Sequence, residues 1–434
     1  MTPFTDTPVF CRRRWETGSA LLAVAIFMLL VACVVLVAAE HLLRQAERWN
    51  EATSMASLAG AREALIGYAL GYPDTHPGQG MGYLPCPDKS NDGSVSLGAC
   101  NARDHGAMGR LPYRTLGLPV SLDGARQCLW YAVAGSFKNN PKALALNWDS
   151  PGQFRVVDTS GQPVSGEGHD AVAVILAPGA ARPGQHRPSS DSSLRCPGSA
   201  DAAADLPAFL DTPYPTDIAG NLDIVIGTPR HDVNDMAVWI TVDDIFNALR
   251  RRPDFSALFD NLLDIAVTAL QSKLDGCHSD CEGGHAVTGA DFLAAQAEAV
   301  VGNRAQGRLP ASSILGIDSA QADFYDNWRD QLRFVACVEG SACLTAVLRE
   351  SAISSAISET ETCRALVLFG GERLRGSAPQ RRSTVTERAD PAQYLEGSNL
   401  QSFIAGTGDF AGFRHYAVVD NRLPASEDLI RCVP

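Results

Sequence analysis

Arg12-Arg13-Arg14-Trp15-Glu16-Thr17-Gly18-Ser19 leads directly into ALLAVAIFMLLVACVVLVAA, residues 20–39, in which every side chain is apolar. Twenty residues at about 1.5 Å each make a helix of about 30 Å, the hydrocarbon thickness of a bilayer. The three arginines before the run are expected to stay on the cytoplasmic side, which places everything after Glu40 outside. Residues 1–18 carry +1, from three Arg against Asp6 and Glu16, and the whole chain carries 36 − 49 = −13. The exported part therefore carries −14. With 45% hydrophobic residues in 434, the chain is long and apolar enough for a folded head of about two domains. Its acidic balance argues against a nucleic-acid partner, which calls for a basic footprint.

Three readings of the N-terminus stay open. A cleaved secretory signal has an h-region of roughly 7–15 residues, shorter than this one, although Val37-Ala38-Ala39 resembles a small-residue cleavage site. A plain signal anchor is the second. The third places Gly18 at the end of a short basic leader, with the apolar run starting at Ser19.

That third arrangement resembles the prepilin leader of type IV pilins and type II secretion pseudopilins, on Arg12–Arg14, Gly18, Ser19 and the run from Ala20. The resemblance implies cleavage by a prepilin peptidase between Gly18 and Ser19, methylation of the new N-terminus, and packing of the apolar helix with other pilin or pseudopilin subunits. It also implies a single-pass inner-membrane protein with a periplasmic head, or a place on the cell surface within a filament. Most pilins carry a glutamate five residues after the cut. Here that position is Ala23, which points to a minor or tip subunit. From Glu40 to Leu70 there is no proline, and Leu42, Trp49, Ala56 and Glu63 recur every seven residues, thickened by Ala46, Ala59 and Leu65. This predicts a stalk helix continuous with the membrane run, ended by Gly71, Pro73 and Pro77.

The head carries internal echoes. Gly109-Arg110-Leu111-Pro112, Leu116-Gly117-Leu118 and the apolar Leu129–Ala134 are matched in order by Gly307-Arg308-Leu309-Pro310, Leu315-Gly316-Ile317 and Leu332–Cys337. Downstream, Ala173–Gly179 with Arg182, Gln185 and Arg187 is echoed by Ala365–Gly371 with Arg375, Gln380 and Arg381. The order suggests a tandem duplication. Thr241 and Asp244 form a capping-box pattern opening a helix that runs to Arg252, breaks at Pro253 and resumes from Asp254 to Leu274. The arginines Arg250–Arg252 suit the C-terminus of the first segment. Short β-branched runs at 154–157, 172–176, 224–226, 238–242, 366–369 and 416–419 read as strands.

The expected fold class is α+β, a long N-terminal transmembrane and stalk helix followed by two related helix-plus-antiparallel-sheet halves. The expected division is 1–18 leader, 19–71 transmembrane and stalk helix, 72–242 first lobe and 243–434 second lobe. The stretches Leu84–Asp88, Gly109–Leu118, Asp123-Gly124, Leu129–Val133, Phe137–Pro141, Ile240-Thr241, Asp243-Asp244 and Tyr394–Gly397 resemble a group of prepilin-like proteins of Gram-negative bacteria. That likeness implies location and assembly class and brings no activity with it.

Ten of the twelve cysteines follow the membrane run, an even number that fits a disulfide framework in an oxidising compartment. Close spacing favours Cys86–Cys100, Cys277–Cys281 and Cys337–Cys343. Cys277-His278, Cys281 and His285 also have zinc-type donors, though oxidation competes. Asp88, Ser90, Asp92 and Gly93 begin like an EF-hand calcium loop, but position 12 is Ala99 instead of glutamate, so an Asx-rich turn is the stronger reading and calcium at Asp88 and Asp92 the weaker. There is no GxSxG, HExxH or phosphate-cradling loop. His169-Asp170, His231-Asp232 and Ser189–Ser193 are scattered hydrolase-type residues, and no enzyme activity is expected. The structural-subunit reading stands against a signal-anchored periplasmic binding protein or enzyme outside any filament.

Overall fold

The computed structural model describes residues 17–77, 79–143, 145–166, 168–188, 196–227, 232–276, 288–339, 341–351, 358–373, 380–382, 384–416 and 428–434. The chain forms two compact units, Met1–Thr53 and Ser54–Pro434. In the first, helix α1 (Thr17–Thr75) carries the apolar run, and every residue from Leu21 to Glu51 is exposed. Leu21–Thr75 is the one described helix long and apolar enough to cross a membrane.

The second unit is mixed α+β. A first sheet contains β1 (Gly106–Arg110), β2 (Trp130–Val133), β3 (Phe154–Val157), β4 (Ala171–Ala177), β5 (Asp217–Ile218), β6 (Leu222–Val225) and β7 (Met236–Thr241), with α2 (Ala202–Phe209) between β4 and β5. Its order is β5-β1-β2-β4-β3-β6, with β7 also pairing β4. Then come α3 (Val242–Leu249), α4 (Phe255–Asp275) and α5 (Gly289–Gln296). The second sheet contains β8 (Ala299–Val301), β9 (Arg304–Arg308), β10 (Leu332–Cys337), β11 (Leu344–Arg349), β12 (Glu359–Cys363), β13 (Ala365–Phe369), β14 (Phe410–Phe413) and β15 (Leu429–Val433). Helices α6 (Ser312–Leu315), α7 (Ser319–Trp328), α8 (Val385–Ala389) and α9 (Gly397–Ala405) are interleaved, and the strand order is β12-β11-β14-β15-β13-β10-β9-β8. Neither sheet is antiparallel throughout as expected: β6 joins β3 as a parallel edge strand, and β14 runs parallel to both β11 and β15.

The end of α1 packs on the first sheet, with a register different from the expected stripe. Ser54, Leu58, Ala61, Leu65, Ile66, Ala69 and Tyr72 are buried, whereas Ala56, Ala59 and Glu63 are exposed. A strict seven-residue repeat drifts about 20° per heptad on a straight helix, so it marks a supercoil seam and not the face a lone helix lays on a sheet. Leu42 and Trp49 stay exposed in the first unit. The helix also outlasts Gly71 and Pro73 by reaching Thr75. Pro73 cannot donate to the Ala69 carbonyl, and Gly82 N–H takes that acceptor at 3.3 Å. Arg252 donates to the Leu70 carbonyl at 2.7 Å and pairs with Asp74 and Asp254, so it fastens α1 as well as ending α3.

Thr241 and Asp244 make the expected capping box on α3. On α4, Phe255, Phe259, Leu262, Leu263, Ile265, Ala266 and Leu270 are buried, and Asp260 pairs with Arg431 of β15 at 2.9 Å. The strand expected at 416–419 lies outside the described residues beyond Tyr416.

The two sheets repeat local geometry. Gly109 and Arg110 lie opposite Tyr131 and Trp130, and Gly307 and Arg308 opposite Phe334 and Arg333. Trp130 and Tyr131 then face Leu176 and Ile175, as Arg333 and Phe334 face Leu368 and Val367. Gly117, after β1, and Gly316, after β9, have left-handed φ of +69° and +74°, which a side chain would strain. After the third strands, Arg187 donates to the Gly179 carbonyl (2.7 Å) and Gln185 Oε1 (3.0 Å). Likewise Arg382 donates to the Gly371 carbonyl (2.8 Å) and Gln380 Oε1 (2.9 Å). The arginine that makes hydrogen bonds like those of Arg187 is Arg382, one residue past the Arg381 of the sequence echo.

A shared core joins the sheets. Trp148 meets Trp328 edge-on at 4.7 Å, and Phe259 lies 4.9 Å from Trp328 and 5.0 Å from Phe369. Beside this cluster, Asp149 takes Arg382 Nη1 at 3.1 Å and Gln331 Nε2, with side chains only 4% and 0% exposed for Asp149 and Arg382. Removing the carboxylate leaves a buried guanidinium short of its counter-charge. Asp149→Ala is expected to cost about 3–5 kcal/mol in urea unfolding, and a loss below about 1 kcal/mol would contradict this account.

Candidate functional site

Gly18 and Ser19 fall in the first turn of α1, at the start of the helix whose apolar run is exposed on every side. A helix that is hydrophobic all round needs lipid or other apolar helices around it. Cys33, inside that run, is the free cysteine among the described residues.

Cys86 is bonded to Cys100, and Cys337 to Cys343. Cys277, Cys281, His278 and His285 lie outside the described residues. Two further bridges, Cys128–Cys196 and Cys363–Cys432, span 68 and 69 residues. Their long separations gave the sequence no cue; for the second, the strand pairing beside it, Leu366 opposite Cys432, brings the distant residues together.

The loop after Cys86 is a hydrogen-bonded turn. Asp88 is buried; its Oδ1 accepts from Ser90 N–H at 2.9 Å and its Oδ2 from Gly93 N–H at 2.7 Å. Asp92 Oδ1 accepts from Ser94 N–H at 2.7 Å. Burial pushes the Asp88 carboxyl above its usual range, against the pull of those N–H donors. Among the described residues, the one group of three close metal-type donors is Glu361, Cys363 and Cys432, and its two cysteines are spent in a disulfide. Nearby, Lys138 Nζ donates to the carbonyls of Cys100 (2.9 Å), Ala102 and His105 (2.7 Å), which closes the Cys86–Cys100 loop onto the sheet. Burial lowers this ammonium to about 8.

The hydrolase-type residues do not assemble into a triad among the described residues. His169 Nε2 meets Asp223 Oδ1 at 2.9 Å, not its neighbour Asp170, and Arg155 grips the same carboxylate at 2.6 Å and 3.0 Å. Ser150 and Ser165 share a cleft of about 500 Å³ with His169, but their hydroxyls accept from Asn147 N–H and Val156 N–H. Ser189–Ser193 and His231 lie outside the described residues.

The disulfide loops differ in length, and so should their worth. Loop-closure entropy gives about 4 kcal/mol for a 69-residue separation and about 2 kcal/mol for six. The Cys363→Ser/Cys432→Ser double variant should therefore unfold at lower urea than Cys337→Ser/Cys343→Ser; the reverse order would refute the loop-length account. Asp223 offers a pH test. Hydrogen bonding to Arg155 holds its carboxyl below the usual range, so its stabilisation is full above the ordinary carboxylate pKa and lost as pH falls through the depressed value. The stability gap between wild type and Asp223→Asn should be full above the ordinary carboxylate pKa and shrink as pH falls below it. A gap that stays constant to pH 2 would rule this out. Comparison of the chain with family models, curated proteins and solved structures finds no match.

Proposed function

We propose that this chain is a minor pilin- or pseudopilin-like structural subunit, cut between Gly18 and Ser19 by a prepilin peptidase and held in the inner membrane by α1. Its disulfide-bonded head then projects into the periplasm, or from the tip of a type IV pilus or type II secretion-like filament, to contact a surface or partner. The observation that carries the reading is the exposed, uninterrupted apolar surface of residues 21–39, directly after Gly18 and the arginines. Neighbouring pilin helices or lipid are the solvents such a surface needs. Ala23 in place of an acidic residue favours a low-copy or tip position, since no buried carboxylate is available to pair with a neighbour's amine.

The head fits the same reading as two diverged copies of one helix-on-sheet unit. The repeated register, the left-handed glycines and the two arginine clamps support a common origin. In the first copy the covering helix is the end of α1, and in the second it is α4. A signal-anchored periplasmic binding protein is the second reading, favoured by the polar clefts of the head.

The N-terminal mass of the protein from bacterial membranes tests the proposal. An N-methylated Ser19 start is expected, and Gly18→Glu should abolish that processing and leave Met1 in place. A wild-type protein beginning at Met1 or Glu40, or a variant with unchanged mature mass, would overturn it.

A further inference from the structure

A cleft of about 740 Å³ opens where the two sheets meet, lined on one side by Gly152, Gln153 and Asn221 and on the other by the end of α7 and by α8. Its volume lies within the range of small-molecule sites, roughly 300–1,000 Å³. Five charged residues line it: Asp104, Asp326, Arg329, Asp330 and Arg388. The two inner carboxylates are already occupied. Asp326 accepts from Ser312 N–H at 3.1 Å and Ser312 Oγ at 2.6 Å, and Asp330 faces Arg308 at 3.5 Å. Asp104 is exposed.

The guanidiniums of Arg329 and Arg388 are different. Both residues are half-buried, and neither side chain has a hydrogen bond or ion pair among the described residues. Other arginines of the head with similar or greater burial are engaged: Arg110, Arg155, Arg252 and Arg382 hold a carboxylate, and Arg187, Arg304 and Arg333 donate to backbone carbonyls. The backbones carrying the two free groups are fixed. Arg388 O accepts from Arg333 Nη2 at 3.1 Å, and α8 is closed by the Thr384–Glu387 capping box. Arg329 follows the buried Trp328 at the end of α7.

We propose that this cleft binds a small ligand bearing two or more oxyanion groups, a di- or tricarboxylate or a phosphate ester, held by Arg329 and Arg388. A planar guanidinium already partly removed from water loses little more hydration on meeting a carboxylate or phosphate, and its fork binds either one bidentately. The fixed backbones lower the ordering cost of binding. The inference does not depend on the filament reading.

Calorimetric titration of the full chain in detergent at low salt tests it, with citrate, inorganic phosphate and sucrose as probes. Saturable binding of citrate or phosphate but not sucrose is expected, weakening as salt rises. Stronger citrate binding assigns a carboxylate ligand, and stronger phosphate binding a phosphoryl one. Arg329→Gln and Arg388→Gln should each weaken binding at least tenfold, whereas Arg251→Gln, at an exposed arginine outside the cleft, should leave it unchanged. Because neither cleft guanidinium makes a hydrogen bond or ion pair among the described residues, the variants should melt with wild type. Should Arg388→Gln misfold, Arg388→Lys keeps the charge without the fork and should still weaken binding several-fold. No saturable binding of either anion, or binding unchanged in both cleft variants, would overturn the proposal.

Discussion

An aromatic cluster with a buried ion pair beside it ties the two sheets of the head together. Trp148 reaches from the first sheet's connection into Phe259 of α4, Trp328 of α7 and Phe369 of β13 in the second sheet, and Asp149, the next residue, reaches Arg382. Edge-to-face rings fix relative orientation as well as burying area. A carboxylate and guanidinium withdrawn from water fix it further, because any slip leaves a charge uncompensated. Arg382 in turn stacks 4.2 Å from Tyr394, which Arg333 also approaches at 4.2 Å. Arg382 therefore serves two purposes at once. It ties the turn after β13 through Gly371 and Gln380, and it ties that turn to the other sheet.

This explains why some features were legible in the sequence and others were not. The apolar run, the Thr241–Asp244 cap, the break at Pro253 and the strands at 154–157 and 366–369 depend on local residue order, and each appears within a few residues of its expected place. Of the buried face of α1 only Leu65 was legible, because Leu42, Trp49 and Ala56 offer a seven-residue spacing as conspicuous as the true 54–58–61–65 face. Only contact with the sheet decides between them. Helix α1 passing Pro73 was hidden for a similar reason: the orphaned Ala69 carbonyl is satisfied by Gly82, across a turn.

The functional groups divide along the same line. Cysteines six and fourteen residues apart are near neighbours in any fold, whereas Cys128–Cys196 and Cys363–Cys432 follow from topology. His169 beside Asp170 looks like a pair on paper, yet strand geometry turns it to Asp223 on β6. The free arginines Arg329 and Arg388 carry no motif at all. They stand out only once the neighbouring Asp326 and Asp330 have been given their partners, Ser312 and Arg308.

Strand β15 is the last element in sequence, yet it lies inside the second sheet, between β13 and β14, and Cys432 bonds it to β12. A chain emerging N-terminus first, from a ribosome or a membrane pore, therefore presents β13 with an open hydrogen-bonding edge until residues 429–433 follow. The second sheet cannot close progressively, as a simple meander would. It must wait with Leu366 and Leu368 unpaired on one side, and such an edge invites pairing with other chains. The far-reaching disulfide to Cys363 then makes the late insertion difficult to reverse.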